Sequence, residues 1–111
     1  IDKFDFFVDE ELKELTDNIV ETNFSIVITH SPPHGLLDRL PGLPNIGSVS
    51  ITNLIKKIKP RLVLCGHFHE NVGTATFLDK TIVFNPGAIK DNSYGEITIK
   101  DGKIETKVVK V

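Results

Sequence analysis

Two short runs rich in apolar and β-branched residues, Phe24–Thr29 and Arg61–Cys65, bracket a segment where Ile51, Leu54, Ile55 and Ile58 recur at i, i+3, i+4 and i+7. Compact apolar runs of this length suit strands buried on both faces of a mostly parallel sheet, and the spacing between them is that of an amphipathic helix. Strand, helix, strand in this order predicts a right-handed βαβ unit. Ser48 or Ser50 can cap the helix, Lys56, Lys57 and Lys59 complement its negative end, and Pro60 closes it. An earlier helix is expected from Asp9, with Glu10 and Glu11 in its first turn and Leu12, Leu15 and Ile19 along one face, ending near Glu21.

After Gly66 the period changes. Gly73–Leu78 and Thr81–Phe84 read as strands around Asp79-Lys80, and Tyr94–Lys100 pairs with Lys103–Val111 around Asp101-Gly102. The expected tail is antiparallel β. Between the first strand and the helix, residues 31–47 hold Pro32, Pro33, Pro41 and Pro44 with Gly35, Gly42 and Gly47. That is an irregular loop, and one this long in a compact domain is usually functional or disordered.

At 111 residues the chain is one domain at most, and a formal charge of -2 leaves no electrostatic footprint for nucleic acid or an anionic membrane. Any phosphate must be held by local chemistry. No run approaches the length of a membrane span, and no basic-then-apolar leader is visible. The lone Cys65 sits within an apolar run, where a small buried thiol and a reducing, cytoplasmic setting are the ordinary expectation.

All four histidines fall in two clusters, His30 with His34 and His67 with His69, each directly after a predicted parallel strand. Ligands in open α/β sheets bind beyond the carboxyl ends of strands, so both clusters are expected at one sheet edge. In Gly66-His67-Phe68-His69 an extended backbone would place both imidazoles on one side with Phe68 on the other. Gly66 would let the chain turn tightly and leave room beside metal ions. With eight glycines and four histidines in 111 residues, Gly-His-x-His arises by chance about once in a hundred such chains. A bare His-x-His is as often a pair of exposed loop histidines.

The segments Thr29-His30-Ser31-Pro32-Pro33-His34-Gly35, Gly66-His67-Phe68-His69 and Asn85-Pro86-Gly87-Ala88 stand in the order, and at about the spacing, of the last motifs of calcineurin-like metallophosphoesterases. The chain resembles that family from about Phe24 to Gly87. The resemblance implies that residues 1–111 are the carboxyl-terminal part of a single α/β sandwich domain: a βαβ unit, then antiparallel strands completing a second sheet against an amino-terminal half. It implies a binuclear, metal-dependent phosphoesterase acting on a mono- or diester, with His30 and His67 on one divalent ion and His69 on its neighbour. Imidazole-rich sites suit zinc, iron, nickel or copper, and carboxylates from the other half would admit manganese. His34 is a candidate phosphate contact or proton donor beside the plainer reading of a loop histidine. Asn85, Gly87 and Gly66 are candidates to support the ligands or touch substrate, although turn formation explains Asn-Pro-Gly almost as well. Asn45 and Ser48, at the helix entry, could meet an anion, with capping the plainer role for Ser48.

The family's Asp-x-His, bridging Gly-Asp and Gly-Asn-His motifs do not occur in this sequence. The site therefore needs the amino-terminal half or a second chain, and the chain alone is expected to be inactive. The rival reading is a non-catalytic protein-interaction scaffold of the same fold.

Overall fold

The computed structural model describes residues 13–14, 16–20, 25–39, 42, 44–77 and 80–111. Its elements are β1 (Ile26–Ile28), α1 (Val49–Ile58), β2 (Leu62–Leu64), β3 (Gly73–Phe77), β4 (Thr81–Asn85), β5 (Ser93–Lys100) and β6 (Lys103–Lys110), with short 3-10 turns at His69–Asn71 and Ile89–Asp91. Asp9, Leu12, Leu15, Glu21 and Phe24 lie outside the described residues, as do Leu78 and Asp79. Lys13, Glu14 and Thr16 are helical, but the expected first helix gives way to a turn at Asp17, short of Glu21.

α1 follows from its sequence. Ser48 is the N-cap, its Oγ accepting from the Ile51 amide at 3.1 Å. Ile51, Leu54, Ile55 and Ile58 are buried, and Lys59 ends the helix in the left-handed region at φ 50°. Pro60 then bars continuation. The apolar stripe packs with Val63 and Val83 of the sheet, and Val27 joins its margin.

The main sheet has the order β1-β2-β4-β3, with β1, β2 and β4 parallel and β3 antiparallel at one edge. Two expectations change. β3 and β4 join the first sheet rather than a second one; only β5 and β6 form a separate two-stranded sheet. β4 returns parallel to β2 because the chain from Gly66 crosses to β3 first, and the hairpin then feeds its second strand into the vacant side of β2. Burial on both faces also fails for β1, where Ile26 is 42% and Ile28 is 78% exposed. The helix covers the Val27 side, and the β5–β6 hairpin reaches only part of the other face.

The hairpin docks where glycine lets it. A Cβ on Gly95 would lie 2.6 Å from Phe84 Cε2 and 2.6 Å from Pro86 Cβ. Thr74 Oγ1 meets Thr106 Oγ1 at 2.8 Å, and the Arg61 guanidinium donates to the Gly102 carbonyl. An apolar cleft of about 280 Å³ remains between sheet and hairpin, lined by Ile28, Leu64, Phe84 and Ile97 among others. Cys65 is buried and free, as expected, and desolvation pushes its thiol from 9.0 up to about 11. Among the described residues no helix is long and apolar enough to cross a membrane.

Candidate metal centre

The parallel register aligns three strand ends. Ile28 pairs with Leu64 and Leu64 with Phe84, so the chain leaves β1, β2 and β4 in one row. The row extends past the strands: the Cys65 amide donates to the Phe84 carbonyl at 3.0 Å, and the Gly66 amide donates to the His30 carbonyl at 3.0 Å. His30, the Gly66–His69 segment and the Asn85–Gly87 segment are therefore neighbours at the carboxyl edge, as open α/β sheets place their ligands.

At that edge His30 Nε2 stands 2.9 Å from His67 Nδ1, with the rings edge to face and centroids 4.7 Å apart. One of the two nitrogens must carry the proton for this contact to be a hydrogen bond. Two imidazole nitrogens this close also suit one first-row ion: ligands at right angles with bonds of about 2.1 Å lie about 3.0 Å apart. The donor type and spacing thus fit a divalent metal. Among the described residues no group of three or more His, Cys, Asp or Glu converges as a metal site.

The Gly-His-x-His backbone is not extended. His67 has φ 67°, and the Phe68 amide donates to the Gly66 carbonyl at 2.8 Å, a γ-turn centred on a non-glycine residue. Such turns are rare and strained and persist only when the surroundings enforce them. The left-handed residue is thus His67, where the sequence pointed to Gly66. A Cβ on Gly66 would meet only open space. His69 opens a 3-10 turn; its side chain lies outside what the structure describes. The extended backbone expected through Gly66-His67-Phe68 is corrected accordingly: the chain turns at His67 itself.

Asn85 holds this strained turn from behind. It is 2% exposed, its Nδ2 donates to the Phe68 carbonyl at 3.0 Å, and its Oδ1 accepts from the Gly87 amide at 3.0 Å. The Asn71 amide shares that carbonyl at 2.9 Å. Gly87 sits at φ 84°, and a Cβ there would lie 2.6 Å from Ser93 Oγ, which donates to the Pro86 carbonyl at 2.7 Å. Both residues act on backbone: Asn85 ties β4 to the histidine turn, and Gly87 allows a tight passage to Ser93.

His34 is exposed, with its backbone pinned at both ends. Its amide donates to the Ser48 carbonyl at 3.0 Å, and its carbonyl accepts from Thr52 Oγ1 at 3.1 Å. Gly47 makes this closure possible, since a Cβ there would come 2.5 Å from the Pro33 carbonyl oxygen. Asn45 donates to Asp38 rather than standing open to an anion, and Ser48 caps α1. The sequence reading missed Asp38, a fully buried carboxylate inside the Pro-rich loop. A lone acid among Pro, Gly and Leu was its only signal.

The model of the metallophosphoesterases of the calcineurin superfamily matches residues 6–109. The chain belongs to that superfamily. Metallophosphoesterase domain-containing protein 1 of Homo sapiens and of Mus musculus are each 33% identical over 72 residues, covering 59% of this chain and 22% of theirs. The chain thus spans about a fifth of those relatives. A solved structure with TM-score 0.65 and 24% identity covers 91% of this chain and 38% of its own, and shares the fold. The crystal structure of TT1561 of Thermus thermophilus aligns with TM-score 0.51 and 27% identity over 88% of this chain and 38% of its own. The α/β architecture with its parallel sheet is that of these neighbours.

Proposed function

We propose that this chain supplies part of the metal site of a phosphoesterase that hydrolyses a phosphate mono- or diester with two divalent ions. The observation that carries the reading is the 2.9 Å approach of His30 Nε2 to His67 Nδ1, two imidazoles on separate loops at adjacent parallel strand ends. A solvent-exposed loop histidine has no need of a partner 37 positions away or of a strained turn beneath it. In this reading His30 and His67 hold one ion and His69 contributes to its neighbour. The ions, when bound, would polarise the phosphoryl oxygens and lower the pKa of a bound water. Manganese, zinc, iron and nickel all suit the combined imidazole and carboxylate donors of such a centre.

The chain's own groups do the placing. The Asn85 amide holds the Phe68 carbonyl that lies between His67 and His69. His34, on its pinned backbone, is the candidate to contact substrate phosphate or hand a proton to the leaving oxygen. In this reading the remaining ligands, carboxylates among them, come from an amino-terminal half of the domain or from a second chain. The exposed Ile26 and Ile28 on β1, whose partner among the described strands is β2 alone, are where that half would add to the sheet. We place the protein in the cytoplasm, where the lone buried Cys65 stays reduced.

The test is metal content per chain, with hydrolysis of p-nitrophenyl and bis-p-nitrophenyl phosphate, for the intact protein and its His30→Ala and His67→Ala variants. Each variant should lose more than the roughly 10- to 100-fold in metal affinity typical of residues behind the ligands, and hydrolysis with it. The isolated chain should show no turnover. Full metal content and full activity in both variants would refute the reading.

A further inference from the structure

The loop between β1 and α1 contains one carboxylate that the metal site does not use. Asp38 is 0% exposed. Its Oδ2 accepts from the Gly35 amide at 2.9 Å and the Gly47 amide at 2.8 Å, and its Oδ1 accepts from Asn45 Nδ2 at 2.9 Å. Its own carbonyl accepts from the Ile46 amide at 3.3 Å. A charge is taken out of water only where such donors compensate it. The loop needs a side chain for this purpose because its prolines carry no amide hydrogen, so ordinary backbone pairing is scarce.

The position of this carboxylate between the two histidine clusters gives it a second consequence. Gly35, one of its donors, directly follows His34. On its other side, the Arg39 carbonyl accepts from Asn71 Nδ2 at 2.5 Å, and Asn71 ends the 3-10 turn that His69 opens. Loosening Asp38 would therefore release the Gly35 and Gly47 sides of the His34 loop and the tie from this loop to the His69 turn together, leaving His34 held only by Ser48 and Thr52. Enclosed as it is, Asp38 can reach neither metal nor phosphate.

We infer that Asp38, with Asn45 as its partner, is a positioning residue that fixes the His34 loop against the His67–His69 turn so that His34 meets the substrate phosphate. The role assigned to His34 rests on the phosphoesterase reading. The brace itself rests only on the hydrogen bonds above.

The exchange of the two side chains makes a sharp test. Asn45→Asp sets two carboxylates against each other. Asp38→Asn leaves an amide facing an amide, which Asn45 can relieve by turning its own amide over. The double exchange Asp38→Asn with Asn45→Asp restores a donor–acceptor pair while keeping one oxygen for Gly35 and Gly47. In the intact manganese-loaded protein, inorganic phosphate affinity by calorimetry should fall at least about tenfold in Asn45→Asp, on the scale of one lost charge-assisted contact, with metal content unchanged. The double exchange and Asp38→Asn should stay within about threefold of wild type, since the pair is kept. A merely structural defect would lower metal content as well.

Wild-type phosphate affinity in Asn45→Asp, or a double exchange no better than Asn45→Asp, overturns the inference. If Asn45→Asp does not fold, Asn45→Ala carries the test. It should weaken phosphate binding and speed hydrogen exchange at the Gly35 and Gly47 amides, with Leu62–Leu64 unchanged; no change in either overturns the inference too. A wild type that binds phosphate, shows the variant pattern and cleaves no ester refutes the phosphoesterase reading alone. A wild type that binds no phosphate refutes both.

Discussion

Replacing Asn85 with aspartate tests the support behind the histidine turn without altering its shape. The substitution keeps the acceptor for the Gly87 amide but turns the donor into an oxygen facing the Phe68 carbonyl, now 3.0 Å from Nδ2. At 2% exposure neither oxygen finds water. A buried acceptor left unpaired costs about 1–3 kcal/mol, and more where charge is involved, so about 3 kcal/mol is expected once the new carboxyl is ionised. Protonated, its O–H can donate to the same carbonyl and the loss is largely recovered. Folding therefore raises the pKa of the new group above its unfolded value of about 3.9. At 1.36 kcal/mol per pKa unit, 3 kcal/mol corresponds to a folded value of about 6. Between those limits the folded variant binds more protons than the unfolded one, so its stability relative to wild type falls as pH rises. Urea unfolding of both proteins should give a deficit of about 1 kcal/mol at about pH 4.5 and about 3 kcal/mol at about pH 7.5. A deficit equal at both pH values would refute the reasoning, because it would mean that the Phe68 carbonyl is not the partner that matters.

Two further outcomes follow from the packing. Gly95→Ala drives a methyl into fully buried Phe84 and should destabilise by about 1–3 kcal/mol, read as a lower urea midpoint with unchanged slope. The Cys65 thiol, raised from 9.0 to about 11 by burial, is held protonated in the fold. It should resist disulfide reagents until the protein unfolds. Its unfolded form ionises first as pH rises, so stability should fall by about 2–3 kcal/mol between about pH 9 and pH 11, and Cys65→Ala should flatten that slope.

The elements and their chemistry were legible in the sequence because they rest on local pattern. The i, i+3, i+4, i+7 isoleucines and leucine fixed the helix, Ser48 its start and Pro60 its end. The apolar runs fixed β1 and β2, and the His-bearing segments just beyond them located the candidate site. Tertiary structure decided what local pattern does not encode. Whether Thr81–Asn85 returns parallel to β2 depends on which neighbour its two faces bury against, and β4 took the place between β2 and β3. The conformation of Gly66-His67-Phe68 was decided by its surroundings too: the Asn85 amide and the neighbouring His30 impose a γ-turn that the residues would not adopt alone. Asp38 became visible only when the loop closed around it, since a carboxylate is buried by the donors that fold against it and not by its own neighbours in sequence.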